Sequence, residues 1–279
     1  MTLIRAQFSI NLAESIQRLT SGSGQNSSSV ASLTYQVPPQ HIQQASVYHR
    51  EILQMLEQLN NTPFGQLDVN RFNVLLEKLK ELTPNGNITI ILNNPNLFAG
   101  RDLQGIDFSG YTIRSSDGRP VSFEQANLSG AKFKHCNLEG VIFVGCNLTN
   151  ANFHSVNLQR CKFCSIIGEG ISFHNCNLQG ANFISSNLTS SNFYGSNLSN
   201  ANLRHINARR ASFGRTNLSN ANVIAANFTD AYFGGTNLTT ETLAHSILTG
   251  AEYYFVPSHP MHTIFPNGFD PQTHGMVRN

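Results

Sequence analysis

Five cysteines and ten histidines are the residues of this chain best suited to metal, thiol or acid–base chemistry. Cys136, Cys146, Cys161 and Cys176 are spaced by multiples of five. Zinc motifs use close pairs a few residues apart, so this spacing belongs to a repeat. Thiols placed in that way pack as small buried hydrophobes. Cys164 is out of phase with the other four and is expected to face outward. It has no histidine or asparagine arranged around it as a base and orienter, so a thiol nucleophile is not indicated. Read every twenty residues, Arg114, Lys134, His154, His174 and Tyr194 form one series, with Lys132 and His135 beside it. Two imidazoles are too few ligands for a closed metal site. As a group, Arg114, Lys132, Lys134, His154, His174 and Tyr194 make a mildly basic, aromatic-ended stripe, a candidate surface for binding another protein. Arg204, Arg209, Arg210 and Arg215 form a second basic cluster, read as solvated surface. The chain has no phosphate-cradling glycine loop, no H-E-x-x-H, no G-x-S-x-G and no kinase motif set. No catalytic residue, cofactor or metal is expected.

Composition narrows the choice of partner. Only 12% of the residues are charged, and 18 Lys and Arg against 16 Asp and Glu leave a formal charge of +2. A dedicated nucleic-acid binder is usually strongly basic, and an acidic mimic of DNA strongly negative. No nucleic-acid partner is therefore expected. No apolar run reaches the roughly 18–20 residues that span a bilayer, so no transmembrane segment is expected. A basic stretch followed by an apolar one is missing from the N-terminus, so no signal peptide is read there. Five cysteines in 279 residues do not make a disulfide framework.

The elements that must position these side chains come in four regions. Residues 1–44 carry Glu14 as their sole carboxylate side chain and contain SGSGQNSSS at 21–29. They read as a flexible polar N-terminal segment with a short helix from Leu12 to Leu19. Residues 45–97 read as a small helical region and a leading strand. Val47, Ile52, Leu53, Leu56 and Leu59 space one helix, and Phe72, Leu75, Leu76, Leu79 and Leu82 a second, from Asp68 to Pro84. Ile88 to Leu92 is the strand. Residues 98–252 are a repeat, and 253–279 a capping tail.

The repeat has a period of five. The 31 positions 98, 103, 108 and onward to 248 hold 13 Phe and 13 Leu. Two residues before each centre the side chain is small or apolar, and one before it Asn stands sixteen times. Five matches neither the helical period nor the strand period. It suits a chain that turns a corner every pentad, so that four pentads make a square coil and coils stack about 4.8 Å apart. A twenty-residue period is visible as well. One predicted column runs Ile113, Phe133, Phe153, Phe173, Phe193, Phe213, Phe233, and another Leu138, Leu158, Leu178, Leu198, Leu218, Leu238. The fold class is thus an all-β solenoid, a quadrilateral β-helix of nearly eight coils and about 37 Å. Asn in its slot is expected to bond to backbone at corners or in side-chain ladders. RSSDGRPVS (114–122) and SIIGEGIS (165–172) lose their centres at Gly118 and Gly168 and are expected to bulge. Tyr253, Tyr254, Phe255, Pro257, Pro260, Phe265 and Phe269 are expected to plug the C-terminal end, and the helices of 45–82 to cover the other.

ANLSG (126–130), ANFHS (151–155), ANFIS (181–185), SNLSN (196–200) and ANLRH (201–205) resemble the A(N/D)LXX signature of pentapeptide-repeat proteins. The resemblance implies a right-handed quadrilateral β-helix. TIFPNGFDP (263–271) is similar to the closing segment of many bacterial members, which implies a bacterial source and a natural C-terminus. A filled core with outward positions free to vary favours a non-enzymatic scaffold for an unknown protein partner. One alternative is a secreted effector acting on a host protein, since the acid-poor N-terminus is similar in layout to secreted pentapeptide effectors such as PipB. Another is a DNA-mimic topoisomerase inhibitor, which the charge of the rod disfavours. Residues 98–252 hold eleven Arg and Lys against nine Asp and Glu. The location is then the bacterial cytoplasm or, for an effector, the host cell. A rod end is also a surface through which two copies could pair.

Overall fold

The computed structural model of the protein describes residues 8–10, 31–35, 70, 73–74, 76–77, 88–92, 95–115, 117–240, 242–256 and 258–279. Its body is a four-sided coil of pentads. Each pentad turns on a short backbone bond, such as Ala126 N–H to Phe123 O at 2.9 Å. The third residue of that turn has positive φ, 66° at Gly130 and 55° at Ala225. Type II turns demand this left-handed region, which glycine enters without steric cost. Successive coils are joined by parallel bridges twenty residues apart, from Ser122↔Ile142 to Tyr232↔Glu252. Asn completes the corners in both expected ways. Asn147 Oδ1 accepts the Thr149 amide at 3.1 Å, and its Nδ2 donates to Asn127 Oδ1 at 3.3 Å.

The interior is filled by the pentad centres. Phe133, Phe153, Phe173, Phe193, Phe213 and Phe233 stack with centroids 4.6–5.3 Å apart. A second ring column, Phe123, Phe143, Phe163 and Phe183, faces it edge-on, as in Phe143–Phe153 at 5.7 Å and 88°. Such pairs add about 0.5–1.5 kcal/mol each beyond area burial. Where the second column ends at Leu203, a ring returns at Phe228, edge-on to Phe213 and Phe233 at 5.4 Å.

The small inward slot does more than pack. Cys146 and Cys161 point their sulfurs at the carbonyls of Phe123 and Leu138 in the coil below, at 2.8 and 2.9 Å. Cys176 does the same to Phe153 O. Ser186 and Thr216 donate equivalently to Phe163 O and Phe193 O, at 2.6 and 2.7 Å. These buried hydroxyls and thiols thus find a partner there, whereas Ser191 Oγ in the same slot has none among the described residues. Burial pushes the Cys146 and Cys176 thiols up to about 12 and raises Cys161 as well.

The first coil differs from the expected one. Its bridges are Asp102↔Asn127, Asp107↔Lys132 and Thr112↔Asn137, each twenty-five residues apart. One extra pentad is therefore inserted before Ser122, and every earlier residue sits one wall further round. Phe108, not Ile113, lies under Phe133, with centroids at 5.6 Å. Phe98 lies under Phe123 at 4.9 Å. At Gly168 the expected bulge is not formed. Gly168 N–H bonds to Asn187 O at 2.8 Å in regular register. A Cβ there would meet Leu188 at 3.2 Å and Ile166 at 3.3 Å, so neighbours already fill the slot.

Four strands join the first coil, in the order β1 (Phe8–Ile10), β2 (Ala31–Tyr35), β3 (Ile88–Leu92), β4 (Tyr111–Ser115). β1–β2 and β2–β3 are antiparallel and β3–β4 parallel. Two of these strands lie in the segment expected to be flexible. The expected helices at Leu12–Leu19 and 45–59 lie outside the described residues. No α-helix is complete among the described residues, although Asn70, Asn73, Val74, Leu76 and Glu77 have helical backbone. Leu76 is buried, and its carbonyl accepts from the Tyr111 hydroxyl. Asn73 Oδ1 accepts the Asp107 amide at 2.9 Å.

At the other end the chain makes a 3-10 turn at Leu243–His245 and loops out between Tyr254 and Thr263. It returns so that Ile264 bridges Asn237. β5 (Glu252–Tyr253) then pairs with β6 (Val277–Arg278) in parallel. Tyr253 and Met276 are buried, Phe265 meets Tyr253 edge-on at 5.3 Å, and Phe269 stacks on Phe265 at 5.5 Å. Phe255 is 42% exposed, so it is not part of the plug, and Pro260 is exposed. Pro257 lies outside the described residues.

Phe153→Ala removes a ring stacked on both sides, and is expected to cost about 3–5 kcal/mol in urea unfolding. A loss below about 1 kcal/mol would contradict the dry column. Alkylation of the folded chain at pH 8 should leave Cys136, Cys146, Cys161 and Cys176 unmodified by mass spectrometry, with Cys164 as the site of any label. Rapid labelling of Cys161 without unfolding would refute its buried, carbonyl-bound placement.

Candidate functional site

Because the interior is full, the candidate site is a strip of the outer wall. The residue after each centre points outward, one per coil, about 5 Å above the last. On the wall of Phe133 that series is Lys134, His154, His174 and Tyr194. His154 and His174 stack with centroids 4.8 Å apart and planes 11° apart, and their Nδ1 atoms are 3.0 Å apart. One of these nitrogens carries the proton and the other accepts it. Tyr194 stacks on His174 at 5.5 Å, and His135 meets His154 edge-on at 5.7 Å. Lys132 and Lys134 are exposed on either side of Phe133. Desolvation, then the nearby His174, His135 and Lys134, holds the His154 imidazole below its ordinary 6.5.

Five of the six expected stripe residues therefore share one wall. Arg114 does not, because the inserted pentad moves it to the next wall, below Glu139. Ser109 takes its place under Lys134, whose amide donates to Ser109 Oγ at 3.1 Å. The stripe also continues further than expected. Gly214 and Gly234 occupy its next two outward positions, and a Cβ at Gly214 would lie 3.0 Å from the Tyr194 ring and 3.2 Å from Tyr232. These glycines make room for the two tyrosines. The Arg215 guanidinium lies 5.8 Å from the Tyr194 ring centroid, and its Nε reaches Met261 Sδ at 3.3 Å. Glycine where polar residues otherwise stand was the available signal for this extension.

Among the described residues no group of three or more His, Cys, Asp or Glu converges as a metal site would require. Cys164 is half-buried, and burial raises its thiol pKa, the opposite of an activated nucleophile. Arg209 and Arg210 are exposed. No described helix is long and apolar enough to cross a membrane.

On the neighbouring wall the exposed residues 117–120 border an open cleft of about 880 Å³. Arg114, Arg119, Arg160 and Glu139 line it over a floor of Ile113, Val121 and Val141.

Known proteins match this architecture. A family profile described as a pentapeptide repeat region matches residues 116–193, and one described as pentapeptide repeats (8 copies) matches 196–235. Two trypsin-treated variants of QnrB1, a plasmid-mediated fluoroquinolone resistance protein, superpose with TM-scores of 0.52 at 20% and 21% identity. Each match covers 67% of this chain and 86% of the other. HetL, a pentapeptide repeat protein involved in heterocyst differentiation regulation in the cyanobacterium Nostoc sp. strain PCC 7120, is 18% identical. That match has a TM-score of 0.35 and covers 65% of this chain and 84% of HetL. Among curated protein sequences no relative matches. Pentads, square coils and family profiles agree: residues 116–193 and 196–235 are pentapeptide repeats, folded as the right-handed β-helix of pentapeptide-repeat proteins.

Proposed function

We propose that this chain is a non-enzymatic scaffold that binds another protein through the wall bearing Lys132, Lys134, His154, His174 and Tyr194. The observation that carries the reading is the outward column of stacked rings flanked by cations, on a rod whose core is closed. Aromatic side chains are usual anchors of protein interfaces, and exposed lysines beside them steer an acidic partner. Their rigid stacking lowers the entropy lost on binding. Affinity capture from bacterial and from eukaryotic lysate, with the wild type and a Lys134→Glu/His174→Glu variant, tests the reading. A partner held by the wild type and lost by the variant supports it; equal retention of every partner refutes the wall assignment.

A second reading, a secreted effector, draws on residues 1–44, where Glu14 is the lone carboxylate side chain. A translocation reporter fused after residue 44 would stay inside the bacterium if that reading is wrong. Inhibition of DNA gyrase is not expected, because the rod lacks the acidic surface of a DNA mimic.

The Lys134→Glu/His174→Glu variant should melt within about 2 °C of the wild type, since outward substitutions usually change stability by less than about 0.5 kcal/mol. Unfolding of the variant would overturn the outward phase. The folded chain disfavours protonated His154, so its contribution to stability is full above the unfolded pKa of 6.5 and falls away as pH drops through the lower folded value. An NMR titration of His154 should give a midpoint below 6.5 that rises toward it in His174→Asn. An unmoved midpoint would dismiss the coupling between the two rings.

A further inference from the structure

The displaced Arg114 has a setting of its own. The inserted pentad leaves residues 117–120 exposed, and a cleft opens between them and the second coil. Its floor is apolar, formed by Ile113, Val121 and Val141. Three guanidinium groups stand around it, and two carboxylates answer them. Arg119 Nε is 2.5 Å from Asp117 Oδ2. Arg160 Nη1 is 3.7 Å from Glu139 Oε1, with both side chains largely in solvent. Such a long, exposed pair is weak and readily exchanged. Arg114 is exposed and has no ion pair among the described residues. Among the described residues, three positive charges against two negative ones leave one positive charge in excess over an apolar floor.

We propose that this cleft is a receptor for an acidic side chain borne on an apolar segment of a partner protein. One excess charge suits a single carboxylate, which Arg114 can take as a planar bidentate partner. Arg160 can join by exchanging its long contact with Glu139. The apolar floor accepts the aliphatic neighbours of that carboxylate. Small-molecule sites bury most of their ligand. This cleft is open on one side, so the body of a larger partner must close it. The proposal rests on the scaffold reading in one respect, that the ligand belongs to a protein; it uses a different wall from the ring column.

Selection of a random heptapeptide display library on the full chain tests it, followed by binding measurements with the synthetic consensus peptide. Enrichment of Glu or Asp beside apolar residues is expected. The consensus peptide should bind about tenfold or more weakly to Arg114→Glu and Arg114→Ala, and so should its Glu→Gln form to the wild type. Binding to Lys134→Glu/His174→Glu should be unchanged. No acidic consensus, or equal affinity for Arg114→Glu, overturns the proposal. Equally strong competition by millimolar inorganic phosphate overturns the preference for a carboxylate. Loss of binding in the Lys134 and His174 variant but not in Arg114→Glu moves recognition to the ring column, which sinks the cleft and leaves the scaffold reading standing. Melting temperatures of both Arg114 variants separate a lost ligand from a lost fold.

Discussion

One bulky side chain in every five must enter a prism only as wide as two opposed aromatic rings. The backbone meets that demand by turning left-handed at each corner and bonding to the coil above and below. Coil spacing then matches ring spacing, so phenylalanines stack without gaps. The remaining positions are consequences. The slot before the corner holds only a small group, and where that group is polar the carbonyl of the coil below is within reach. Asparagine closes the turn with its oxygen and ties neighbouring coils with its nitrogen.

That regularity made much of the fold legible. A period of five with Phe and Leu at one phase has no helical or simple strand solution, and the twenty-residue columns from Phe133 to Phe233 read directly as stacks. The first coil was misjudged because an inserted pentad leaves the phase of five intact. Phe98 and Phe108 carried the missing signal: they extend pure Phe columns when the coil is twenty-five residues long and interrupt Leu columns when it is twenty. Gly168 was misjudged for a related reason. A missing centre permits a bulge, but Ile166 and Leu188 close the space instead. The carbonyl bonds of Cys146, Cys161 and Cys176 depend on side-chain direction, which residue type alone does not specify. Phe255 shows the same limit at the C-terminal end, where no period tells which aromatic residues turn inward.

The candidate surface inherits these strengths and errors. Lys132, Lys134, His154, His174 and Tyr194 follow the regular twenty-residue step and lie together on one wall. Arg114 lies across the inserted pentad and leaves them. Tyr232, Arg215 and Met261 join through glycines that make room, a relation between neighbouring coils rather than a pattern along the chain. A closed core moves all recognition outward, and chemical differences between walls then decide what each can hold. One wall offers rings and imidazoles with lysines beside them, and the next offers guanidinium groups around an apolar floor.

The extra pentad also sets orientation. Five residues amount to a quarter-turn about the axis, delivered without disturbing a single hydrophobic stack above it. The sheet that begins at β1 therefore hangs from one side of the prism, and adding or deleting one such unit would swing it to the adjacent side. Angular placement of an attached module is in this way adjustable in ninety-degree clicks, independently of the length of the shaft.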